Sequence, residues 1–210
     1  MRGSVAAAAR TLAEEGLLIG TAGNVSMYDG TAVAVTATGV HLAECTAEDV
    51  TVVDLDGTVV EGRLKPTSEL DLHLAVYRAS ANRAVVHTHA PFSTAVACVL
   101  DELPVLHYQQ LLLGGAIRVA PYATFGTPEL AAHTLEALEG RHAALLANHG
   151  SVAVGDDLGS AVERALLLEW LATLHHRASV LGTPRLLDEA QQTAVVEAAL
   201  ARHYGTTQEN

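Results

Sequence analysis

The sequence predicts a single α/β domain in which helices cover both faces of a central sheet. Short apolar runs typical of strands alternate with longer segments of helical periodicity along the chain. Strands interleaved with helices form sheets that are buried on both sides. Because the 210 residues contain no internal repeat, low-complexity tract or linker, we expect one domain over residues 1–210.

The first part of the chain is predicted to hold a helix, several β-like runs and a second helix. An amphipathic helix is expected over about residues 3–16. Glycine and Asp-Gly turns then bound the runs GNVSMYDG, AVAVTATG and VTVVDLDGTVVEG. The segment PTSELDLHLAVYRAS is predicted to be helical because Leu70, Leu74 and Tyr77 fall on one stripe. Ser68 and Asp71 match a capping box at its start.

Strands and helices alternate through the rest of the chain. The apolar runs AVVHTH, AIRVAPY and HAALLANHG are predicted strands, and the segments PFSTAVACVL and TPELAAHTLEALEG are predicted helices. A long helix is expected from about Leu158 to Leu181, with a shorter one after Leu187. This alternation predicts a three-layer α/β/α sandwich.

The composition argues against several classes of protein. The 12 basic and 24 acidic side chains give a formal net charge of −12, which disfavours nucleic acid or an anionic membrane as the main partner. Charges and histidines interrupt the apolar stretches before the roughly 18 residues that suggest a membrane span. The alanine run near the N-terminus is too short for a signal-peptide core. We therefore expect a cytoplasmic protein in which the isolated Cys45 and Cys98 are small core residues.

Two histidines stand one residue apart in the run RAVVHTHAPFSTAVA. In a strand from Val85 to His89, the period of two turns His87 and His89 to the same face. His149 follows the apolar run ALLAN, where a side chain emerges at the end of a sheet. Three imidazoles with one open position are typical of a catalytic Zn²⁺ site. Because the chain has 11 histidines, the spacing alone also allows a chance grouping of half-buried polar residues.

Glu69 lies in the first turn of the helix predicted after KPTS. The helix dipole favours a carboxylate there, so an ordinary N-terminal acidic residue explains Glu69 as well. Next to a metal ion, the same carboxylate could serve as a general base.

Neutral donors near Glu69 indicate a site for an anion. Thr67 and Ser68 offer hydroxyl and backbone N–H groups at a helix N-terminus, a phosphate site that needs no lysine. The turns TAGN and TATG could bring further donors close, although such turns often bind nothing. The sequence contains no P-loop and no dinucleotide-binding fingerprint, so nucleotides are not indicated.

An ordered set of motifs extends these inferences. The motifs are GNVS, TATG, KPTSE, HTHAPFSTA, HYQQLLLGG, APYATFGT and LLANHG. In this order they resemble the class II aldolase/adducin family from about Gly20 to the C-terminal HYG, and most closely its members that cleave L-fuculose 1-phosphate. The resemblance implies a mixed, largely antiparallel sheet and a Zn²⁺-dependent aldolase that cleaves a ketose 1-phosphate reversibly. It also implies a homotetramer with active sites at subunit interfaces.

The resemblance assigns roles to residues of this sequence. It implies that His87, His89 and His149 bind Zn²⁺ or another divalent transition metal, and that Glu69 is the acid/base and can approach the metal. The positions that match phosphate-binding residues of the family are Gly23, Asn24, Thr38, Gly39, Thr67 and Ser68. The family pattern commonly has two serines before the glutamate, and here Thr67 replaces the first, which leaves phosphate affinity open.

Aromatic residues are assigned in the same way. Tyr108 matches the tyrosine that reaches the active site of a neighbouring subunit, where it would take a proton from the substrate. Phe125 and Tyr204 match positions that line the aldehyde end of the pocket. The aldehyde itself stays open, because short aldehydes differ by a methyl or a hydroxyl group.

Other activities remain as alternatives. An L-ribulose-5-phosphate 4-epimerase or a methylthioribulose-phosphate dehydratase would use the same metal site, and adducin head domains of the family bind partners without catalysis. A Schiff-base aldolase needs a lysine amine as nucleophile, and Lys65 is the only lysine in the sequence.

Overall fold

The structure, a computed structural model, describes residues 1–202 and 204. The strands of this part of the chain are β1 (Asn24–Tyr28), β2 (Val33–Thr36), β3 (Val50–Val53), β4 (Val59–Glu61), β5 (Ala84–Thr88), β6 (Glu102–Leu103), β7 (Ile117–Ala120), β8 (Ala143–Leu146) and β9 (Gly150–Gly155). They form one sheet in the order β4-β3-β2-β1-β5-β9-β8-β7-β6. Neighbouring strands run antiparallel except β7 and β8, which are parallel.

Helices lie on both faces of this sheet. They are α1 (Arg2–Glu14), α2 (Leu70–Ala79), α3 (Pro91–Ala97), α4 (Pro128–Leu138), α5 (Leu158–Leu181) and α6 (Glu189–Ala201). Helices α1, α3 and α5 pack on one face, and α2 and α4 pack on the other. Helix α6 contacts a 3₁₀ helix over Tyr108–Leu113.

The alternation of side chains along the central strands builds two apolar cores. In β5, Val86 belongs to the core beneath α1, α3 and α5, whereas Val85 belongs to the core beneath α2 and α4. Leu145 and Leu146 of β8 divide in the same way. Because successive side chains of a strand point to opposite faces, continuous apolar runs are what a sheet buried on both sides requires.

The predicted fold is confirmed. The structure is a three-layer α/β/α arrangement around a mixed, largely antiparallel sheet. Helix α5 has the bounds that the sequence predicted, Leu158–Leu181. Within the described residues, no helix combines the length and the apolar character that crossing a membrane would require.

The predicted start of α2 is wrong. The helix begins at Leu70 with Glu69 at its N-cap, and no side chain caps it, so Ser68 and Asp71 do not form a capping box. The segment before it is extended, because the backbone N–H of Thr67 donates to the carbonyl of Thr36 at 3.1 Å. Because Thr67 pairs with the end of β2, the helix begins only at Leu70, and the side chain of Glu69 is buried.

Two further expectations need correction. The run HAALLANHG is not one strand, because β8 ends at Leu146 and Gly150 begins the unpredicted β9. The reversal occurs in a short turn where Asn148 adopts a φ of 54°, a left-handed conformation that asparagine tolerates. Cys45 is buried as expected, but Cys98 is exposed at the end of α3.

The assignment of Leu145 to a closed core predicts a large cost of truncation. Leu145→Ala should lower the free energy of unfolding by about 2–5 kcal/mol, because a cavity remains where the side chain was fully buried. Leu181→Ala, at a position that is 90% exposed, is the matched control and should change it by less than about 0.5 kcal/mol. Denaturant unfolding at equal protomer concentration measures both, and equal effects would contradict the packing.

Candidate metal centre

Three histidines meet at one end of the central strands β5 and β9. These strands are antiparallel, with Thr88 opposite Ser151. His87 is in β5, His89 follows directly after it, and His149 lies in the turn that leads into β9. The strand period and the β8–β9 hairpin therefore bring the three imidazoles together.

The approach of these segments depends on Gly150. A Cβ atom at this position would lie 2.2 Å from the carbonyl oxygen of Thr88 and 3.2 Å from Cδ2 of His89. The first distance is far inside van der Waals contact, so a residue without a side chain is required where β9 begins against β5. The glycine that follows His149 is thus a condition of the site's geometry.

The imidazole rings form a nearly regular triangle. The ring centroids are 4.9 Å apart for His87 and His89, and 4.8 Å apart for His87 and His149. The third separation, between His89 and His149, is 4.9 Å. Glu69 completes the cluster, since one ligand atom from each of the four residues lies within 4.8 Å of the others.

Glu69 reaches the histidines from the N-cap of α2. Its side chain is buried, with Oε2 3.0 Å from Nε2 of His87 and Oε1 3.3 Å from Nε2 of His149. The side-chain amide of Asn24 donates to Oε2 at 3.0 Å. The carboxylate is therefore held against the cluster from the side of β1 as well as from α2.

The backbone selects the tautomer of His87. Its Nδ1 lies 3.0 Å from the carbonyl oxygen of Ser151, and since a carbonyl only accepts, Nδ1 carries a proton. In the neutral ring, Nε2 then presents its lone pair to the cluster. A hydrogen bond of this kind commonly orients an imidazole that binds a metal.

The surroundings favour the protonation states that a cation requires. Burial, together with the His87 and His149 rings, lowers the pKa of His89 to about 4. Burial and then His87 lower the pKa of His149. For Glu69, burial acts to raise the pKa, but the neighbouring His87 and His149 rings and the Asn24 amide outweigh it and lower the pKa. At neutral pH, Glu69 is thus a carboxylate, and the rings of His89 and His149 are neutral.

A divalent cation fits this set of donors. Oε1 of Glu69 is buried and has no hydrogen-bond partner among residues 1–202 and 204. The Nε2 atoms of His87 and His89 lie 3.0 Å apart, close enough for both to face one small cation. A cation at this position would compensate the unpaired oxygen of Glu69. Three imidazoles and a carboxylate suit zinc and its neighbours in the transition series.

The cluster opens into a pocket of about 450 Å³. Glu69, His89 and His149 line this pocket, whereas His87 is fully buried. The residues predicted to bind phosphate all line the same pocket; they are Gly23, Asn24, Thr38, Gly39, Thr67 and Ser68. Phe125, predicted for the aldehyde end, lines it as well.

Sequence analysis missed six residues of the pocket, which are Thr21, Ala22, Ala37, Tyr122, Ala123 and Asn148. Asn148 precedes a ligand candidate in the run ANHG, and an asparagine before His-Gly is a signal for a left-handed turn residue. Tyr122 is 64% exposed and carries no comparable signal beyond its place in APYATFGT.

Tyr108 and Tyr204 lie apart from this pocket. They are exposed, and their hydroxyl oxygens are 3.2 Å from each other. Neither tyrosine lines the pocket of its own chain. The prediction that Tyr204 lines the same pocket as Phe125 therefore does not hold within one chain. Lys65 is also exposed and does not line the pocket, which disfavours a Schiff base there.

Comparison with known proteins places the chain in a family. A model described as the class II aldolase and adducin N-terminal domain matches residues 3–176. The chain belongs to the class II aldolase and adducin family. The family predicted from the ordered motifs is therefore confirmed.

Several relatives of this class II aldolase are enzymes with named activities. A 5-deoxy-D-ribulose 1-phosphate aldolase of Bacillus thuringiensis is 38% identical over 90% of this chain and 90% of its own length. A 5-methylthioribulose-1-phosphate/5-deoxyribulose-1-phosphate aldolase of Rhodospirillum rubrum is 40% identical over 90% of this chain and 86% of its own length. The L-fuculose phosphate aldolase of Escherichia coli K12 is 40% identical over 86% of this chain and 85% of its own length.

A solved structure supports the same conclusion. An L-fuculose 1-phosphate aldolase superimposes with a TM-score of 0.88 and 35% sequence identity, covering 94% of each chain. The prediction of a lyase enzyme is confirmed by these relatives, and the alternative of a binding module without catalysis is not supported.

The cluster predicts how metal content responds to loss of one ligand. His149→Ala should reduce bound zinc at least about tenfold after dialysis against a weak chelator, because one of three imidazoles is lost. Inductively coupled plasma mass spectrometry on protein shown to be folded measures this content. His41→Ala, which changes an exposed histidine outside the cluster, is the control. Equal zinc in both variants would remove His149 from the site.

Proposed function

We propose that this protein is a Zn²⁺-dependent class II aldolase that reversibly cleaves a ketose 1-phosphate into dihydroxyacetone phosphate and a short aldehyde. The observation that carries the proposal is one pocket that holds both the Glu69 cluster and the residues expected to bind phosphate. Such a pocket can bind the phosphate at C1 of the ketose and place the C3–C4 bond next to the metal cluster. A cytoplasmic location belongs to the same proposal, and the free thiols of Cys45 and Cys98 fit it.

The phosphate would be bound by neutral donors. No lysine or arginine lines the pocket in the described chain. Two turns with left-handed glycines, Gly23 at φ 89° and Gly39 at φ 76°, converge there with the N-terminus of α2. Thr67 accepts from the backbone N–H of Glu69 at 3.3 Å, which leaves its hydroxyl proton free to donate. The replacement of serine by Thr67 is therefore compatible with phosphate binding.

The chemistry requires stabilised charge and a positioned proton. A bound divalent cation would polarise the substrate carbonyl and stabilise the negative charge that develops when the C3–C4 bond breaks. Glu69 lines the pocket as a carboxylate, the form that removes the C3 proton in the condensation direction. By microscopic reversibility, the same group returns that proton to C3 during cleavage.

Tyr108 would act on the C4 hydroxyl from a neighbouring subunit. Its exposure and its distance from the pocket of its own chain support a role in the pocket of another copy. Tyr204 accompanies it through the hydroxyl contact, so one subunit would supply both tyrosines. We therefore propose a homotetramer in which each active site combines residues of two chains.

Tyr122 and Phe125 line the pocket and are each 64% exposed. We propose that this open, partly aromatic side of the pocket takes the aldehyde end of the substrate. The curated relatives are named for 5-deoxyribulose 1-phosphate, 5-methylthioribulose 1-phosphate and L-fuculose phosphate. These substrates differ at the far end by small groups, which a pocket of this kind distinguishes by about 1–3 kcal/mol. We propose this set as the substrate class.

Cleavage assays test the proposed function directly. Purified protein should convert 5-deoxyribulose 1-phosphate and L-fuculose 1-phosphate into dihydroxyacetone phosphate, measured by coupled reduction with NADH. EDTA should abolish the reaction and zinc should restore it, because the cation stabilises the developing charge. The ratio of kcat/KM for the two substrates then ranks them.

The other outcomes are equally informative. Cleavage that EDTA does not affect, with a borohydride-trapped adduct on Lys65, would replace the metal mechanism with a Schiff base. A protein that binds zinc yet cleaves neither substrate would contradict the aldolase assignment in favour of epimerase or dehydratase chemistry on the same site.

Shared active sites predict complementation between inactive variants. Glu69→Gln and Tyr108→Phe should each lower kcat by at least about a hundredfold. When both variants are expressed together and assembled at random, about a quarter of the sites should contain both intact residues and activity should return to about that level. Mixtures that stay as inactive as the separate variants would contradict a site built from two chains.

A further inference from the structure

A row of buried polar side chains connects the metal cluster to the core beneath α2. Tyr77 and Ser26 have hydroxyl oxygens 2.6 Å apart, and Oγ of Ser26 is 2.6 Å from Nδ1 of His73. Nε2 of His73 hydrogen-bonds Oδ1 of Asn24, whose Nδ2 contacts Glu69 at 3.0 Å. We call these five buried residues the Glu69–Tyr77 network.

The strand period of β1 and the helical period of α2 bring the residues of the network together. Asn24 and Ser26 are two residues apart in β1, so they point to the same face of the sheet. Glu69, His73 and Tyr77 are spaced by four along α2 and its N-cap, so they lie on one face of that helix. Where this helix face covers that strand face, polar groups meet in an otherwise apolar core.

The hydrogen bond between Asn24 and Glu69 sets the direction of the other hydrogen bonds in the network. Nδ2 of Asn24 donates to Oε2 of Glu69 at 3.0 Å, so the nitrogen of the amide faces the carboxyl group. Oδ1 of Asn24 therefore faces His73 and needs a donor, which must be Nε2–H. Burial, with a contribution from His87, lowers the pKa of His73 to about 3, so its ring is neutral and carries a single N–H.

The remaining protons follow from this tautomer. Nδ1 of His73 has no hydrogen and must accept, so the Ser26 hydroxyl donates to it. The oxygen of Ser26 then accepts from the hydroxyl of Tyr77. All bonds run head to tail from Tyr77 to Glu69, and hydrogen bonds aligned in this way polarise one another favourably.

His73 thereby prevents a flip of the Asn24 amide. In a flipped amide, Oδ1 would face the Glu69 carboxylate and repel it, while Nδ2 would lose its place as a donor to that carboxylate. The amide nitrogen also carries a second hydrogen, and Asn24 lines the pocket. One donor from His73 thus determines both the support of Glu69 and the polarity of the pocket wall.

We propose that His73 is a positioning residue that locks the Asn24 amide with its NH₂ group towards Glu69 and the pocket, and so holds Glu69 ready for proton transfer. The role in proton transfer rests on the proposed aldolase function, whereas the locked amide does not. His73 does not line the pocket, and its side-chain hydrogen bonds go to Ser26 and Asn24, so it reaches Glu69 through the Asn24 amide.

The tautomer of His73 tests the network in the unaltered protein. Zinc-saturated protein labelled with ¹⁵N-histidine should show, by long-range ¹H–¹⁵N correlation, a neutral His73 ring with hydrogen on Nε2. The spectrum of His73→Gln identifies the signal by its absence. Hydrogen on Nδ1, or a doubly protonated ring at pH 7, would overturn the proposal whether or not the protein is an aldolase.

A pair of variants separates positioning from simple filling of the core. His73→Gln keeps a donor that can reach Asn24, whereas His73→Leu fills the space without one. We expect His73→Leu to lower kcat about 10- to 100-fold with KM changed less than about threefold, and His73→Gln to stay within about fivefold of the parent. Zinc content should be unchanged in both. A leucine variant as active as the glutamine variant would overturn the positioning role.

A double-mutant cycle tests whether His73 acts through Asn24. In an Asn24→Ala background, His73→Leu should cause no further loss of kcat, because the amide that it positions is gone. Independent, multiplicative losses would overturn the proposal. If the parent protein cleaves neither ketose phosphate, the proposed function fails, and the tautomer measurement still decides whether His73 locks Asn24.

Discussion

The structure depends on one electrostatic constraint, the burial of a carboxylate among three imidazoles. A buried charge or lone pair without a partner is costly, so each of these groups must be oriented and compensated. Ser151 orients His87 through its carbonyl, and Asn24 supports Glu69 through its amide. Oε1 of Glu69 has no hydrogen-bond partner among residues 1–202 and 204, and a divalent cation bound in the cluster would compensate it.

The sheet makes this arrangement possible because its three central strands each carry part of it. Asn24 of β1 pairs with His87 of β5 in the antiparallel register, and Thr88 of β5 pairs with Ser151 of β9. A shift of either register by one residue would turn these side chains to the opposite face. The apolar packing on both faces therefore determines the site indirectly, since it specifies the register.

Polar and apolar requirements are combined along α2 in the same manner. Its apolar residues, including Leu72, Leu74 and Val76, pack in the core that it shares with α4. Its face towards β1 instead carries His73 and Tyr77, which are buried and yet fully hydrogen-bonded. A buried polar network is tolerated when its members are hydrogen-bonded, and this one specifies a single orientation of the Asn24 amide next to Glu69.

The sequence alone determined those features that depend on local periodicity or on an ordered set of motifs. The strand period placed His87 and His89 on one face, the helical pattern predicted α5, and the motifs identified the family and many of the residues that line the pocket. The start of α2, the strand β9 and the exposure of Cys98 were decided by the tertiary structure. Pairing across the fold overrides local capping and turn preferences in such places.

Only the tertiary structure could show how Glu69 is held. The bond between His73 and Asn24 joins residues 49 positions apart, and no local spacing signals it. The separation of Tyr108 from the pocket of its own chain is equally invisible to periodicity, because it depends on where the 3₁₀ helix lies relative to the sheet. Local sequence specifies which groups are available, and long-range packing decides which of them meet.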